Sequence, residues 1–276
     1  MAHNEEKNIG LLLDKLLMQA ENAKFPFNIT VVASGCTDGT EEIVRTYENR
    51  DIRVKLLTEK QRKGKTSAIN LFLNQTKSDL LIISSADIIP ANNTLQKFLN
   101  AFSDSSIGMV GGRPIPQPYP GLTASLNNLL WELHHEIASE RPKLGELVAF
   151  RNIIDEIPKE TITDEAAIEA IITQNGLKLK YLPEVIIYNH TPKSLASFIK
   201  QRVRNFVGHL YIKKKMYYKV STYSIIPLAS LSVKKIRSER RKTFLILLLV
   251  CLEALARTIA FLNLLIRNKR YSIWKR

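Results

Sequence analysis

Cysteine is nearly missing from this chain. Among 276 residues there are two, Cys36 and Cys251. Cys36 falls in a predicted loop and Cys251 in an apolar run far along the chain, so neither a disulfide framework nor a CxxC metal site follows. A secretory signal is also not visible, because the N-terminus opens polar and then turns amphipathic, so the folded part is expected on the cytoplasmic side. No internal repeat or low-complexity segment interrupts the pattern. Two apparent motifs fail for want of one residue. Lys63-Gly64-Lys65-Thr66 resembles the end of a P-loop, but Glu59 occupies the position of the required first glycine. His135-Glu136 begins a zinc HExxH that Ser139 leaves without its second histidine, and the His134-His135-Glu136 run is expected on a helix surface.

Positive charge is in excess. Lysine and arginine number 40 against 26 acids, a formal net charge of +14, which calls for an anionic partner. The excess is densest after residue 200, around Lys213-Lys214-Lys215, Lys234-Lys235, Arg240-Arg241-Lys242 and the segment 267–276. No helix-turn-helix, RRM or zinc signature accompanies these clusters, so nucleic acid is not the expected partner. They flank one long apolar run, 243–266, roughly 24 residues and long enough to span about 30 Å of hydrocarbon. Anionic lipid headgroups are therefore the simpler partner. Glu253 and Arg257 interrupt the run four residues apart, on one helix face where they can pair. A charge at mid-membrane costs about 2.5–3.5 kcal/mol on insertion scales. A transmembrane helix, an interfacial or re-entrant helix and a soluble core helix all remain open. Basic residues at both ends leave the orientation of a span unset.

With 45% hydrophobic residues the chain can bury one sizeable core. Asn4, followed by Glu5 and Glu6, is expected to cap a first helix whose apolar face is Ile9, Leu12, Leu13, Leu16 and Leu17. Strands are predicted over 27–33, 53–57, 79–84 and 107–111, and helices from Glu41, over 65–74 and over 93–102. Residues 114–120, with four prolines, read as an irregular connector. Helices are predicted over 122–140 and 195–215, and paired strands over 178–188 about Leu182-Pro183-Glu184. The alternation implies an α/β fold with a mostly parallel sheet and helices on both faces. Ligands in such sheets bind beyond the carboxyl ends of strands, where Asp38 and Asp87 fall.

Four stretches can carry chemistry. Ser85-Ala86-Asp87 places a carboxylate behind a buried strand, either an Asx-turn or a ligand for a divalent ion. Gly145 to Arg151 reads as a strand with a charged end. Thr163-Asp164-Glu165 starts a helix, with Thr163 as a cap and two acids in the first turn. Gln201 and Arg204 are three apart and share a helix face, and an arginine fork suits phosphate. In this order, after an αβαβ beginning, the stretches resemble the nucleotide-sugar transferases of the family-two, GT-A type over roughly residues 2–205.

The resemblance implies a GT-A, Rossmann-like mixed sheet with a C-terminal membrane helix. It implies a transferase domain over 1–220, a basic juxtamembrane linker over 221–242, the membrane helix over 243–266 and a basic tail over 267–276. It also implies a role for each stretch. Asp87 would hold Mg2+ or Mn2+ against the donor diphosphate, with Ser85 replacing the first acid of the usual Asp-x-Asp. Asn4, Glu5, Asp38, Lys65, Gln201 and Arg204 would bind the nucleotide-sugar, with Asn70 near the nucleotide. Ala33 and Ser34 replace the two adjacent acids usual near the base. Gly145, Phe150 and Arg151 would face the acceptor. Asp164 would be the catalytic base, with Glu165 second in line. Asn205 stands where the signature usually ends in tryptophan, which argues against processive synthesis. The chain begins where the family's first strand should end, so unpaired ladder groups are expected there.

These implications describe a metal-dependent, inverting glycosyltransferase attached to the cell membrane. Its catalytic domain would be cytoplasmic, and it would move sugar from a nucleoside diphosphate-sugar to a lipid-linked or saccharide acceptor. A rival reading is a membrane-associated nucleotide-sugar-binding protein of the same fold that has lost turnover.

Overall fold

A computed structural model describes residues 1–22 and 25–267. Its helices are α1 (Ile9–Glu21), α2 (Thr40–Arg50), α3 (Lys65–Gln75), α4 (Thr94–Ala101), α5 (Leu122–Glu140), α6 (Asp164–Gln174), α7 (Leu195–Lys215), α8 (Ile225–Ser238) and α9 (Thr243–Arg267). Its strands are β1 (Ile29–Ser34), β2 (Val54–Glu59), β3 (Leu80–Ser84), β4 (Ile88–Pro90), β5 (Ile107–Pro116), β6 (Leu147–Arg151) and β7 (Lys178–Asn189).

The sheet is mixed. β1 and β2 pair in parallel, Ile29 opposite Val54 through Ser34 opposite Glu59. The other five strands run in the order β3-β6-β5-β7-β4. Of their pairings β5 with β7 is parallel, while β3 with β6, β6 with β5 and β7 with β4 are antiparallel. The two groups are joined where the resemblance leaves the first strand short. Ala2 donates to the Val32 carbonyl and accepts from Ser34 N, both at 2.9 Å, and the Met1 amino group donates to the Ser84 carbonyl at 2.9 Å.

Period-two alternation sorts the core onto both faces of the sheet. Leu81, Ile83, Met109, Val148 and Phe150 meet α3 and α6 through Ile69, Leu73, Ala167 and Ile168. Val110, Leu147, Ala149 and Ile187 meet α1 and α4 through Leu12 and Phe98.

Four local expectations are corrected. Asn4 takes a left-handed conformation (φ 55°) and bonds Thr37, so α1 begins later, after Asn8. β5 continues through Pro114 and Pro116, because its other partner, β7, follows it to Asn189. The 178–188 segment is one strand, not a pair; Leu182 and Ile186 sit either side of an irregularity against Gly112 and Arg113. The expected linker 221–242 carries α8, whose Leu228 is buried, and a 3₁₀ turn at Arg240–Lys242.

The last three helices form a layer over α5. Leu126, Leu129 and Leu133 of α5 pack with Phe198 of α7, Leu228 of α8 and Ile246, Leu249 and Leu252 of α9. α9 also lies along α7, where Ala256 and Ala260 meet Val203 and Val207. Beyond Arg267, the basic tail lies outside the described residues.

Candidate active site

A cleft of about 660 Å³ opens at the carboxyl ends of β1 and β3 and runs under α5 and α7 as far as α9. Asp87 enters it from the turn between β3 and β4, half-buried, its backbone carbonyl accepting from His190 Nδ1 at 2.8 Å. Asp164 enters from the first residue of α6, and Gln201 and Arg204 from one face of α7.

The N-terminus of α6 is the most charged part of the cleft. Asp164 is 3% exposed, and Lys65 Nζ lies 2.7 Å from its Oδ2 and 2.6 Å from Oε1 of Glu165. Burial pushes the Asp164 carboxyl up, Glu165 beside it adds to the rise, and Lys65 opposes it. Burial also works against the Glu165 charge, but the Lys65 ammonium overcomes it and brings that carboxyl down to about 2. Lys65, where burial disfavours charge, is held protonated by the two acids. Two carboxylates and one ammonium leave a net single negative charge, placed where the helix dipole favours it. Thr163 stands at the cap position, but its hydroxyl makes no capping bond.

Neighbouring elements hold this helix start in place. Asn70 of α3 donates to the Ile157 carbonyl and accepts from Ile157 N, both at 2.8 Å, and Thr66 donates to the Thr161 carbonyl at 2.9 Å. Both residues therefore clamp the loop leading to Asp164. That is a correction for Asn70, expected near the nucleotide. Farther along α6, Glu169 accepts from Leu144 N at 2.7 Å and pairs with Lys143 at 3.5 Å. One helix thus fixes both Asp164 and the loop carrying Gly145 and Glu146. At Gly208 α7 passes so close that an added Cβ would lie 2.6 Å from Thr163 Cγ2.

Of the expected site residues, Glu5, Lys65, Asp87, Gly145, Asp164, Gln201 and Arg204 line the cleft. The ammonium of Lys65 faces acids rather than open space. Four others are corrected. Asn4 and Asp38 are not among the lining residues: Asn4 bonds Thr37, and Asp38 accepts from Thr40 N, Thr40 Oγ1 and Glu6 N and so fastens the start of α2. Phe150 is fully buried in the core, and Arg151 donates to the carbonyls of Ile107 and Phe102. β6 enters from the cleft and runs away from it, so within the stretch Gly145 to Arg151 Gly145 and Glu146, before the strand starts, are the lining residues.

The cleft also uses residues that motif reasoning passed over. Glu146 has a left-handed backbone (φ 64°) and accepts from Asn189 Nδ2 at 3.2 Å. Burial first, then the negative charges of Glu165 and Asp87, push its carboxyl up to about 7. Asn127, Trp131 and His134 come from one face of α5, at i, i+4 and i+7. This corrects the surface role expected for His134. Burial holds its imidazole down at about 3, with the charges of Lys143 and Arg202 adding to the effect, so it is neutral at pH 7. Trp131 meets it edge-on at 4.9 Å. The apolar spacing along α5 was the available signal, since the same period carries these polar positions on the adjoining face.

Among the described residues, no group of three or more His, Cys, Asp or Glu side chains is placed to hold a metal ion. Hard cations in phosphate sites take one or two protein carboxylates and complete their shell with substrate phosphates. Asp87 in an open cleft fits that arrangement for Mg2+ or Mn2+.

The model of the family "Glycosyl transferase family 2" matches residues 1–171. This chain belongs to that family. Curated relatives agree. Glycosyltransferase AglE of Haloferax volcanii is 27% identical over 110 residues, 40% of this chain and 36% of that protein. Dolichyl-phosphate beta-glucosyltransferase ALG5C of Trichomonas vaginalis is 31% identical over 91 residues, 31% of this chain and 27% of that protein. Poly-beta-1,6-N-acetyl-D-glucosamine synthase of Staphylococcus aureus is 23% identical over 216 residues, 73% of this chain and 51% of that protein. The chain thus spans about half or less of the length of these relatives.

Among solved structures, mannosyltransferase PcManGT from Pyrobaculum calidifontis, in complex with GDP-Man and Mn2+, superposes with a TM-score of 0.69 at 18% identity. The match covers 97% of this chain and 86% of that one. Glucosyl-3-phosphoglycerate synthase from Mycobacterium tuberculosis, with Mn2+, UDP and glucosyl-3-phosphoglycerate, matches at 0.54 and 16%, covering 78% and 77%. The family-two chain therefore has the GT-A fold and, among the described residues, one C-terminal helix, 240–264, long and apolar enough for a membrane.

Proposed function

We propose that this chain is an inverting, divalent-metal-dependent glycosyltransferase that moves a sugar from a nucleoside diphosphate-sugar to a hydroxyl of a lipid-linked or saccharide acceptor. It works attached to the cell membrane, with the catalytic domain cytoplasmic. The observation that carries the reading is the convergence of Asp87, Asp164 and Arg204, from three separate elements, on one cleft.

Asp164 accepts the proton of the acceptor hydroxyl as that oxygen attacks the anomeric carbon and the bond to the diphosphate breaks on the opposite face. Its raised pKa suits a base, because a stronger base takes the proton more readily once ionised. Lys65 holds the carboxylate in place, and Glu165 keeps Lys65 from neutralising it fully. Arg204 offers a planar fork to phosphate oxygens. A divalent ion shared between Asp87 and the diphosphate would neutralise charge on the leaving group. Trp131 offers an apolar ring, and neutral His134 and Asn127 offer hydrogen bonds, to an uncharged acceptor on the α5 side.

The test is nucleoside diphosphate release from UDP- and GDP-sugars with and without Mn2+, using membrane lipid extract as acceptor. Release that needs the metal and is lost in Asp87→Ala supports the transferase. The second reading, binding without turnover, is favoured by Ser85 at the first acid position and by Asn205 where tryptophan is usual. Tight, metal-dependent nucleotide binding with no release would establish it instead.

A further inference from the structure

The two charges that interrupt the apolar run of α9 both point into the protein. Glu253 is 2% exposed and accepts from Arg202 Nε of α7, with a second bond from Arg202 at 3.3 Å and Arg257 at 3.5 Å. Arg257 donates to the Tyr223 carbonyl at 2.8 Å and lies over the Phe206 ring at 4.7 Å. Ile246, Leu249, Leu252, Ala256 and Ala260 are buried on the same side.

The opposite side has no partner among the described residues. Phe244, Leu247, Cys251, Leu255, Phe261 and Leu262 are exposed, Phe244 by 72%. Phe244, Leu247, Cys251 and Leu255, then exposed Thr258 and Leu262, recur every three or four residues as one stripe with Phe261 beside it, and no charged residue between Thr243 and Leu264 is exposed on it. Exposed Arg240 and Arg241 stand one turn before Phe244, and exposed Lys234 and Arg237 flank exposed Val233 on α8. None of these four has an ion-pair partner among the described residues. The apolar stripe and its basic border match an anionic bilayer surface, apolar below and negative at the headgroups.

We infer that α9 docks in the plane of an anionic lipid bilayer on its outer stripe, and does not cross it. Length alone allows crossing, since 25 residues rise about 37 Å as a helix. Packing decides against it. α9 lies along α7, and α7 carries Gln201 and Arg204 into the polar cleft. A crossing α9 would either take that cleft into hydrocarbon or leave Glu253, Arg202 and Arg257 unpaired there, at the cost an intramembrane charge carries. The in-plane arrangement keeps every packed contact and covers only the stripe. The cleft, which reaches Glu253 and Arg257, then opens beside the headgroups. The inference deepens the membrane part of the reading above, but its test reads location rather than turnover, so either can fail alone.

The test uses the full chain with a protease-cleavable tag at each end. In sealed membrane vesicles of one orientation, both tags should be cut from the same side; tags on opposite sides would overturn in-plane docking. With purified protein, vesicles of phosphatidylcholine plus phosphatidylglycerol should protect Cys251 from maleimide and bring the protein up in flotation. Phosphatidylcholine alone should do so weakly. Phe244→Ser with Phe261→Ser should abolish flotation with no change in Tm, because both side chains are exposed, and Arg240→Glu with Arg241→Glu should remove the preference for anionic lipid. Equal labelling of Cys251 with and without vesicles would refute the proposal. So would binding indifferent to lipid charge, or a lipid-free dimer that already protects Cys251.

Discussion

Lys65 Nζ lies 2.7 Å from Asp164 Oδ2, joining the first residue of α3 to the first residue of α6. A lysine at a helix start opposes that helix's dipole. Here the opposing charge is supplied by two acids on a helix far along the chain, so the pair holds the cleft's two walls together and tunes the proposed base.

Replacing Lys65 with methionine keeps the stem and removes the charge. Asp164 then faces Glu165 without the ammonium that offsets the repulsion, and its pKa rises further. A base acts only when deprotonated, so activity is lost as pH falls through that pKa. The acid limb of kcat/KM against pH should therefore move to higher pH in Lys65→Met. Stability should fall by less than the roughly 3–5 kcal/mol of a fully buried pair, because 27% of the Lys65 side chain meets solvent. An unmoved acid limb would separate Lys65 from the base.

Glu146 gives a second pH signature with its own sign. Its carboxyl is raised from 4.5 to about 7 by burial and by its acidic neighbours. The folded state thus binds a proton more tightly than the unfolded one. The favourable contribution is complete below the unfolded value and fades as pH rises through about 7. Glu146→Gln stays neutral throughout. In urea titrations from acid to neutral pH, the variant should therefore gain on the native protein as pH rises. A constant difference between the two would show that Glu146 does not titrate in this window.

Gly208 tests how closely α7 must approach α6. A methyl there meets Thr163 Cγ2 at 2.6 Å and Oγ1 at 2.9 Å. Gly208→Ala should cost about 1–3 kcal/mol through overpacking, offset in part by the better helix propensity of alanine. It should also lower kcat, since α7 carries Gln201 and Arg204. Thr163→Ala removes both clashing atoms and no capping bond, so the double variant should recover most of the loss in Tm.

The alternating elements between residues 29 and 215 were legible because each side of the sheet repeats its apolar residues every second position and each helix every third or fourth. Asp87, Gly145, Asp164, Gln201 and Arg204 were legible as a set through the ordered motifs, and all five line the cleft. What was not legible depends on tertiary closure. Asn4 and Asp38 carry short polar side chains that bond nearby backbone before reaching any ligand. Phe150 and Arg151 were misplaced because the reading did not fix the end at which β6 leaves the cleft. The inward turn of Glu253 and Arg257 could be read as a shared face, but Arg202 as their partner could not.

The most direct measurement is the turnover of Asp164→Asn beside its affinity for nucleoside diphosphate. Asparagine keeps the shape and cannot accept the proton. With membrane lipid extract as acceptor and the donor that supports release, transfer should fall by about 10²–10⁴-fold, while nucleotide affinity and Tm stay near the native values. Full turnover in Asp164→Asn, with the fold intact, would contradict the account.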